Sequence, residues 1–276
     1  MSRGAPARTE VRGDPLALLS RRVLVVVAAW LVGCSVAAWL VVTREAAAPG
    51  MVDGLAAVGT RMSMPVAAPV FLATWVAMTV AMMFPAVIPL VAAHRIVARR
   101  RGDGLLPTVG LVAGYLLAWS LVGVVPLVAL LGFRSLSGDA AESSWLPRLA
   151  GLALAVAGLY QFGRWKTACL RTCRSPMAFL ARHDFGGGTR SAVRAGIVQG
   201  AYCIGCCWAL MSVLLVVGLM NLVWMVALTL VFLAEKCWRH GWALPRVVGT
   251  ALVVAGVAIA VHPPLLPALA GLSAGG

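Results

Sequence analysis

The stretch VAAPVFLATWVAMTVAMMFPAVIPLV, residues 66–91, contains no charged side chain and decides the class of fold. The hydrocarbon core of a bilayer is about 30 Å thick, and an α-helix needs about 20 apolar residues to cross it. Further apolar runs follow the same pattern at residues 23–42, 105–133, 149–162, 196–218, 219–233 and 247–261. The sequence therefore predicts an all-α, polytopic transmembrane helical bundle of about seven spans, in which only Gly218 to Asn221 offers a turn between the fifth and sixth.

The composition excludes an ordinary soluble domain, because 61% of residues are hydrophobic, 12% are charged and the mean hydropathy is +0.93. In a soluble protein, a formal charge of +14 would indicate a nucleic-acid surface. Here the Lys and Arg residues concentrate in alternate loops, as the positive-inside rule requires, and only four fall on the other side: Arg44, Arg61, Arg134 and Arg148. We therefore expect a multi-pass protein of the bacterial inner (plasma) membrane, with the N-terminus inside, the C-terminus outside and no nucleic-acid partner.

The chain divides into three parts on this topology. Residues 1–22 are rich in Ala, Pro, Gly and Arg and predict a disordered, basic cytoplasmic arm. Residues 23–263 predict a single transmembrane domain, and residues 264–276 a short outer tail. Gly110 and Gly114, four residues apart in the third span, predict a close contact between helices.

Three cysteines of the fifth predicted span lie at helical spacing. Cys203, Cys206 and Cys207 occupy positions i, i+3 and i+4, so an α-helix brings their sulfurs to one face. The topology places this cluster near the cytoplasmic side, where thiols are kept reduced. A soft metal ion is the simplest partner for such a cluster, since it would also protect the thiols from oxidation.

A second pair of cysteines precedes this span. Cys169 and Cys173 are four residues apart in the fourth loop, and they share a face if the loop is helical there. Arg171 and Arg174 flank them, and nearby positive charge predicts a lowered pKa for both thiols. Copper(I) needs only two or three sulfurs, whereas zinc(II) requires four ligands and would add His183 or a carboxylate. Copper is the favoured ion, and zinc stays open.

Methionines of the second span add softer ligands. Met78 and Met82 are four residues apart, Met83 is beside them, and thioethers suit Cu(I) without carrying charge into the hydrocarbon. Pro85 and Pro89 interrupt the same helix and predict backbone carbonyls that face a cavity. Methionine also packs well in cores, and that interpretation is the alternative.

Glu235 follows the sixth predicted span directly. A carboxylate near membrane depth is a candidate metal ligand, and the alternative is an interfacial charge paired with a neighbouring base. No Ser/His/Asp set or pair of carboxylates can be assembled, so the sequence favours binding over catalysis. We predict that the protein binds the metal for transport or for delivery to a partner protein.

Two other functions use the same cysteines. Cys203 and Cys206 form a Cys-x-x-Cys motif, which supports a membrane thiol-disulfide oxidoreductase that exchanges electrons with Cys169 and Cys173. The cysteines of a structural subunit would merely pack, since free Cys is a small, commonly buried residue. Mixed disulfides trapped during turnover would indicate the oxidoreductase. Thiols that stay masked until a chelator is added would indicate the metal-binding site.

Several motifs, taken in order, resemble a bacterial family described as predicted metal-binding integral membrane proteins, domain of unknown function 2182. They are Met-x-x-x-Met-Met-x-Pro at 78–85, Cys-Leu-x-x-Cys-Arg-Ser-Pro at 169–176, Tyr-Cys-x-Gly-Cys-Cys-Trp-Ala-Leu-Met at 202–211, Gly218 to Asn221, and Glu235-Lys236. The resemblance covers residues 65–261 and implies a membrane protein with a cysteine-rich metal site. Members of that family often have His shortly before the Tyr-Cys pair, where this chain has Gln199-Gly200-Ala201.

Overall fold

The computed structural model describes residues 15–47, 64–136, 145–183, 187–218 and 221–266. Within these ranges the fold is entirely helical. The helices are α1 (Pro15–Ala47), α2 (Met64–Arg100), α3 (Leu106–Leu136), α4 (Leu146–Tyr160), α5 (Arg164–Arg174), α6 (Pro176–Arg182), α7 (Gly188–Val217), α8 (Leu222–Cys237) and α9 (Leu244–Val261).

The predicted spans coincide with helices, and the all-α class is confirmed for the described residues. Five helices, α1, α2, α3, α7 and α9, are long and apolar enough to cross a membrane. The helices at the fourth and sixth predicted spans are shorter, with 15 residues in α4 and 16 in α8. The number of spans and the side on which each terminus lies therefore stay predictions.

The predicted terminal parts fall largely outside the described residues. Of the predicted arm, residues 1–14 lie outside them, and α1 begins at Pro15 within the arm's predicted range. Of the predicted tail, residues 267–276 lie outside them.

Helix α7 lies at the centre of the bundle and packs against α3, α4, α5 and α8. Its contact with α3 depends on small residues, because a Cβ atom on Gly114 would collide with the carbonyl oxygen of Val193 and one on Gly196 with that of Leu111. The absence of side chains lets the two backbones approach closely. The close contact predicted from Gly110 and Gly114 is confirmed, and it brings the middle of α3 against the cysteine-bearing face of α7.

Proline places α1 against α2. Pro85 has no N–H, so the carbonyl of Ala81, four residues earlier, loses its partner within the helix. Two side chains of α1 replace that partner, since Ser35 Oγ donates to the Ala81 oxygen at 2.7 Å and Trp39 Nε1 donates to it at 3.1 Å. The prediction from Pro85 was a backbone carbonyl that faces a cavity. Instead, the carbonyl that Pro85 frees accepts hydrogen bonds from a neighbouring helix.

The predicted turn between the fifth and sixth apolar runs is confirmed at both of its ends. Helix α7 ends at Val217, and Gly218 follows with φ = 103°, a left-handed conformation that glycine adopts readily. Asn221 is the N-cap of α8, because its side-chain oxygen accepts a hydrogen bond from Trp224 N at 3.2 Å. The short connection holds the beginning of α8 at the end of α7, and the opposite end of α8, which carries Glu235 and Lys236, contacts α7 through Lys236.

Candidate metal centre

Three thiols on one face of α7 form the centre of the site. The sulfurs of Cys203, Cys206 and Cys207 all lie within 4.8 Å of one another, and the three residues are at most 2% exposed. Cys206 Sγ is 3.4 Å from Cys207 Sγ. The i, i+3, i+4 spacing thus produces the compact sulfur cluster that the sequence predicted. We call these three residues the thiol trio.

A fourth sulfur comes from α5. Cys173 Sγ lies 3.8 Å from Cys206 Sγ, and Gln199 Nε2 donates to Cys173 Sγ at 3.6 Å. Cys173 lies in helix α5, so the segment between the fourth and fifth predicted spans is helical there. Two separate parts of the chain thus contribute sulfur to one place. Together these four thiols are called the sulfur cluster.

Cys169 lies apart from this cluster, although it is only one helical turn before Cys173. Its sulfur contacts Gly205, where an added Cβ atom would come within 2.6 Å of it. In an α-helix, Gly205 points away from the face that bears Cys203, Cys206 and Cys207. The two loop cysteines thus contact different sides of α7, and only Cys173 contacts the sulfur cluster.

The hydrophobic face of α5 explains why this helix docks. Lys166, Cys169, Leu170 and Cys173 recur at i, i+3, i+4 and i+7, which places them on one face. Lys166 and Leu170 are both buried, at 0% and 1% exposed. The face includes a charged residue, so it needs a partner of opposite charge inside the bundle.

That partner is Glu235. Lys166 Nζ donates to both carboxylate oxygens, at 2.8 and 2.9 Å, and Glu235 is also buried. In the structure this carboxylate is an ion-pair partner, and its base lies 69 residues away in sequence rather than beside it. The pair joins α5 to α8 and holds Cys173 at the sulfur cluster.

Arg174 makes a second connection between α5 and α8. Its guanidinium donates to the backbone oxygens of Glu235 and Trp238, the latter at 2.7 Å, and its Cζ lies 4.7 Å from the centre of the Trp242 ring. A cation at the C-terminal end of a helix satisfies carbonyls that lack a helical partner and is favoured by the helix dipole. Arg174 therefore stabilises the C-terminal end of α8 and does not contact the thiols.

The expectation of acidic thiols in α5 is wrong for this reason. Burial raises the pKa of Cys169 above its usual value. The pKa of Cys173 is also raised, first by its hydrogen bonding with Cys203 and then by burial. The flanking Arg171 and Arg174 lie by the ring of Trp242, so their charge is directed to α8 and the segment that follows it.

An ammonium and a phenol surround Cys203. Lys236 Nζ donates to Cys203 Sγ at 3.1 Å, and Tyr115 Oη lies 3.1 Å from the same sulfur. Neither residue was among those predicted for the site. Lys236 belongs to the Glu235-Lys236 motif. The two residues are neighbours in α8, so their side chains point in different directions: Lys236 contacts α7 and Glu235 contacts α5.

Met78, Met82 and Met83 of α2 are all buried, at 2% exposed or less, and belong to the hydrophobic core. Met83 approaches the sulfur cluster, since its Sδ lies 3.7 Å from Lys236 Nζ. Met82 precedes Met83 by one residue and therefore points about 100° away around the helix. Met78 lies one turn before Met82 on that other side.

A small cavity opens beside Cys203 between α2, α3 and α7. It measures about 20 Å³ and is lined by Tyr115, Cys173, Gln199, Cys203 and Lys236 together with apolar residues of α2. Gln199 Oε1 is buried and has no hydrogen-bond partner among the described residues. The volume suffices for one water molecule or one small ion, so the site has room beside two of its thiols.

A family model for PpoB2, described as a copper chaperone, matches residues 72–259. The matched stretch lies inside the range of the resemblance, 65–261, and contains every candidate ligand. The match supports a metal-related family. The matching family is the one described as a copper chaperone, and not the one that the motifs suggested. No curated protein and no solved structure matches the chain.

Proposed function

The chain belongs to the copper chaperone family PpoB2, whose model covers more than half of its length, and we propose that it is a membrane protein that holds Cu(I) in its sulfur cluster. The cargo would be bound in the sulfur cluster of Cys203, Cys206, Cys207 and Cys173, by two of its sulfurs as thiolates. From there it would pass to a protein partner.

The observation that carries this proposal is the meeting of three buried sulfurs of α7 with the half-buried Cys173 of α5. Sulfur ligands select soft ions such as Cu(I), and two or three of them satisfy its coordination. Burial supports the same ion, because a site closed to water and oxidants protects both Cu(I) and thiolates. The unpartnered oxygen of Gln199 and the adjoining cavity indicate that the cluster is not simply close-packed.

The charge of Lys236 favours copper over zinc. Its ammonium touches Cys203 Sγ and lies near Met83 Sδ, so a bound metal would share the site with a fixed positive charge. Two thiolates, one Cu(I) and one Lys are electrically neutral together. A divalent ion in the same place would be repelled more strongly, and a hard carboxylate ligand is not at hand because Glu235 pairs with Lys166.

The α2 methionines would serve the movement of Cu(I) rather than its tight binding. Met83 is next to the ammonium of Lys236, and a neutral thioether there can exchange a soft ion with Cys203. Met78 and Met82 continue along α2 and would extend this route. Glu235 and Cys169 we assign to the docking of α5, because they contact Lys166 and Gly205 respectively.

The five long apolar helices support a multi-pass protein of the bacterial inner membrane. The concentration of basic residues in alternate loops supports cytoplasmic placement of the N-terminus, of α5 and α6, and of the end of α8. In that orientation the sulfur cluster lies near the cytoplasmic face. Delivery to a partner on either side is compatible with this depth.

Metal analysis of the purified full-length protein tests the proposal. Produced with added copper under reducing conditions, the wild type should retain copper, and the Cys203→Ser/Cys206→Ser/Cys207→Ser variant should lose it. Cys34→Ser is the matched control, since Cys34 lies in α1 away from the cluster and should have no effect. Equal copper in the triple variant and the wild type would refute the assignment.

A thiol-disulfide oxidoreductase is the second candidate. The 3.8 Å between the sulfurs of Cys173 and Cys206 favours it, because a small movement would allow a disulfide between α5 and α7. Forming that bond releases two protons and two electrons, which a quinone-class acceptor would take up. Alkylation trapping separates the candidates: a relay yields disulfides during turnover, whereas bound Cu(I) masks thiols until a chelator removes it.

A further inference from the structure

A groove lies between α1, α2 and α3, separate from the sulfur cluster. It has a volume of about 570 Å³. Its walls are apolar, with Val26 and Trp30 on α1 and Val109 and Val112 on α3. Val26, Trp30 and Val109 are more than half exposed, so apolar surface is left uncovered by the protein itself.

One end of the groove is basic. Arg22 of α1 and Arg95 and Arg99 of α2 line it there. Arg95 is held in place, because its guanidinium donates to the backbone oxygens of Asp103 at 3.2 Å and Gly104 at 2.6 Å. Arg95 and Arg99 are one helical turn apart and carry like charge, which disfavours their proximity. The negative charge of Asp103 offsets part of this repulsion at Arg95 but does not line the groove. The groove thus combines a basic end with an apolar wall.

We propose that this groove binds an anionic phospholipid of the cytoplasmic leaflet. The headgroup phosphate accepts hydrogen bonds from Arg22 and Arg99 and shares the charge of Arg95, and an acyl chain lies along Val26 and Trp30. Basic pockets between helices on the cytoplasmic side are typical sites for anionic headgroups. The inference rests on the proposed membrane location and orientation but is independent of copper binding.

Charge complementarity selects this occupant over the alternatives. The chain's own residues 1–14 carry Arg3, Arg8 and Arg12 against Glu10 and Asp14, so that segment does not complement a basic groove end. A free phosphate ion would match the arginines but leave the apolar wall exposed. A zwitterionic lipid would cover the wall but place its own positive charge near the arginines.

Native mass spectrometry of the full-length protein in mild detergent tests the proposal, with phosphatidylglycerol and phosphatidylcholine of equal chain length as probes. The groove variant is Arg22→Gln/Arg99→Gln. Its matched control is Arg21→Gln/Arg100→Gln, which removes the same charge from adjacent positions that do not line the groove. Each arginine near an anionic surface strengthens binding about fivefold, so the groove variant should bind phosphatidylglycerol about 25-fold more weakly.

The acyl chain is tested separately with Val26→Trp, which fills the groove, and with Val25→Trp, which lies beside it and is 57% exposed. Only the first should weaken phosphatidylglycerol binding. Glycerophosphoglycerol, the headgroup without chains, should bind at least 100-fold more weakly than the lipid if the apolar wall contributes.

Three results would overturn the proposal: equal losses in the groove and control variants, equal binding of both lipids by the wild type, or binding of the chainless headgroup as tight as that of the lipid. Copper content measured on the same samples distinguishes this failure from a failure of the metal site. Cell fractionation tests the membrane location itself.

Discussion

Replacement of Lys236 should change which ions the site prefers. The ammonium of Lys236 lies 3.1 Å from Cys203 Sγ, so a metal bound to that sulfur would be about 5 Å from the charge. At an effective dielectric constant of about 20, one additional unit of charge at this distance costs about 3 kcal/mol. The ammonium therefore disfavours a divalent ion relative to a monovalent one by about 100-fold.

The Lys236→Met variant removes this charge and keeps the length of the side chain. We expect its affinity for Zn(II), divided by its affinity for Cu(I), to rise about 100-fold over the wild-type ratio. Lys236→Arg keeps the charge and is the matched control, with a ratio close to that of the wild type. Competition with chelators of known affinity for each ion measures both constants on one preparation, so that partial misfolding affects both alike.

A ratio that changes less than about threefold in Lys236→Met, while Cu(I) still binds, would refute the electrostatic reasoning. A wild type that binds neither ion would instead refute the metal site. The two failures are therefore distinct.

Three further predictions follow from the same contacts. Cys173→Ser should lower Cu(I) affinity at least tenfold, whereas Cys169→Ser should leave it unchanged, because only Cys173 contacts the other three thiols. Competition with a chelator measures both affinities, and equal effects of the two variants would contradict this prediction. Glu235→Gln should destabilise the fold by about 3–5 kcal/mol, since it leaves Lys166 buried without its counter-charge. The double variant Lys166→Met/Glu235→Met should recover most of that loss in thermal unfolding, and no recovery would show that the pair is not the cause. Removal of copper by a Cu(I) chelator should lower the unfolding temperature, because a ligand bound only by the folded state stabilises it, and an unchanged temperature would argue against the site.

The sequence was sufficient for features that depend on neighbours along the chain. Long apolar runs predicted the positions of the helices, and the i, i+3, i+4 spacing predicted that Cys203, Cys206 and Cys207 share one face. Gly114 was expected to permit a close helix contact, and it does so against α7. These inferences succeed because helical geometry converts spacing directly into orientation.

Sequence patterns were insufficient where the answer depends on which helix lies beside which. The arginines near Cys173 predicted acidic thiols, but the guanidinium of Arg174 bonds the end of α8 instead. The spacing of Cys169 and Cys173 predicted a shared role, yet Cys169 lies one turn away along α5 and contacts Gly205, so only Cys173 lies against Cys206.

What the sequence alone determined is the helical architecture and the thiol trio, since both follow from local periodicity. What the tertiary structure decided is the remainder of the site: the fourth sulfur at Cys173, the ammonium of Lys236 at Cys203, and the pairing of Glu235 with Lys166. The physical reason is that these contacts join residues 33 to 69 positions apart. Their formation depends on how α5, α7 and α8 pack, and no spacing within one helix encodes that arrangement.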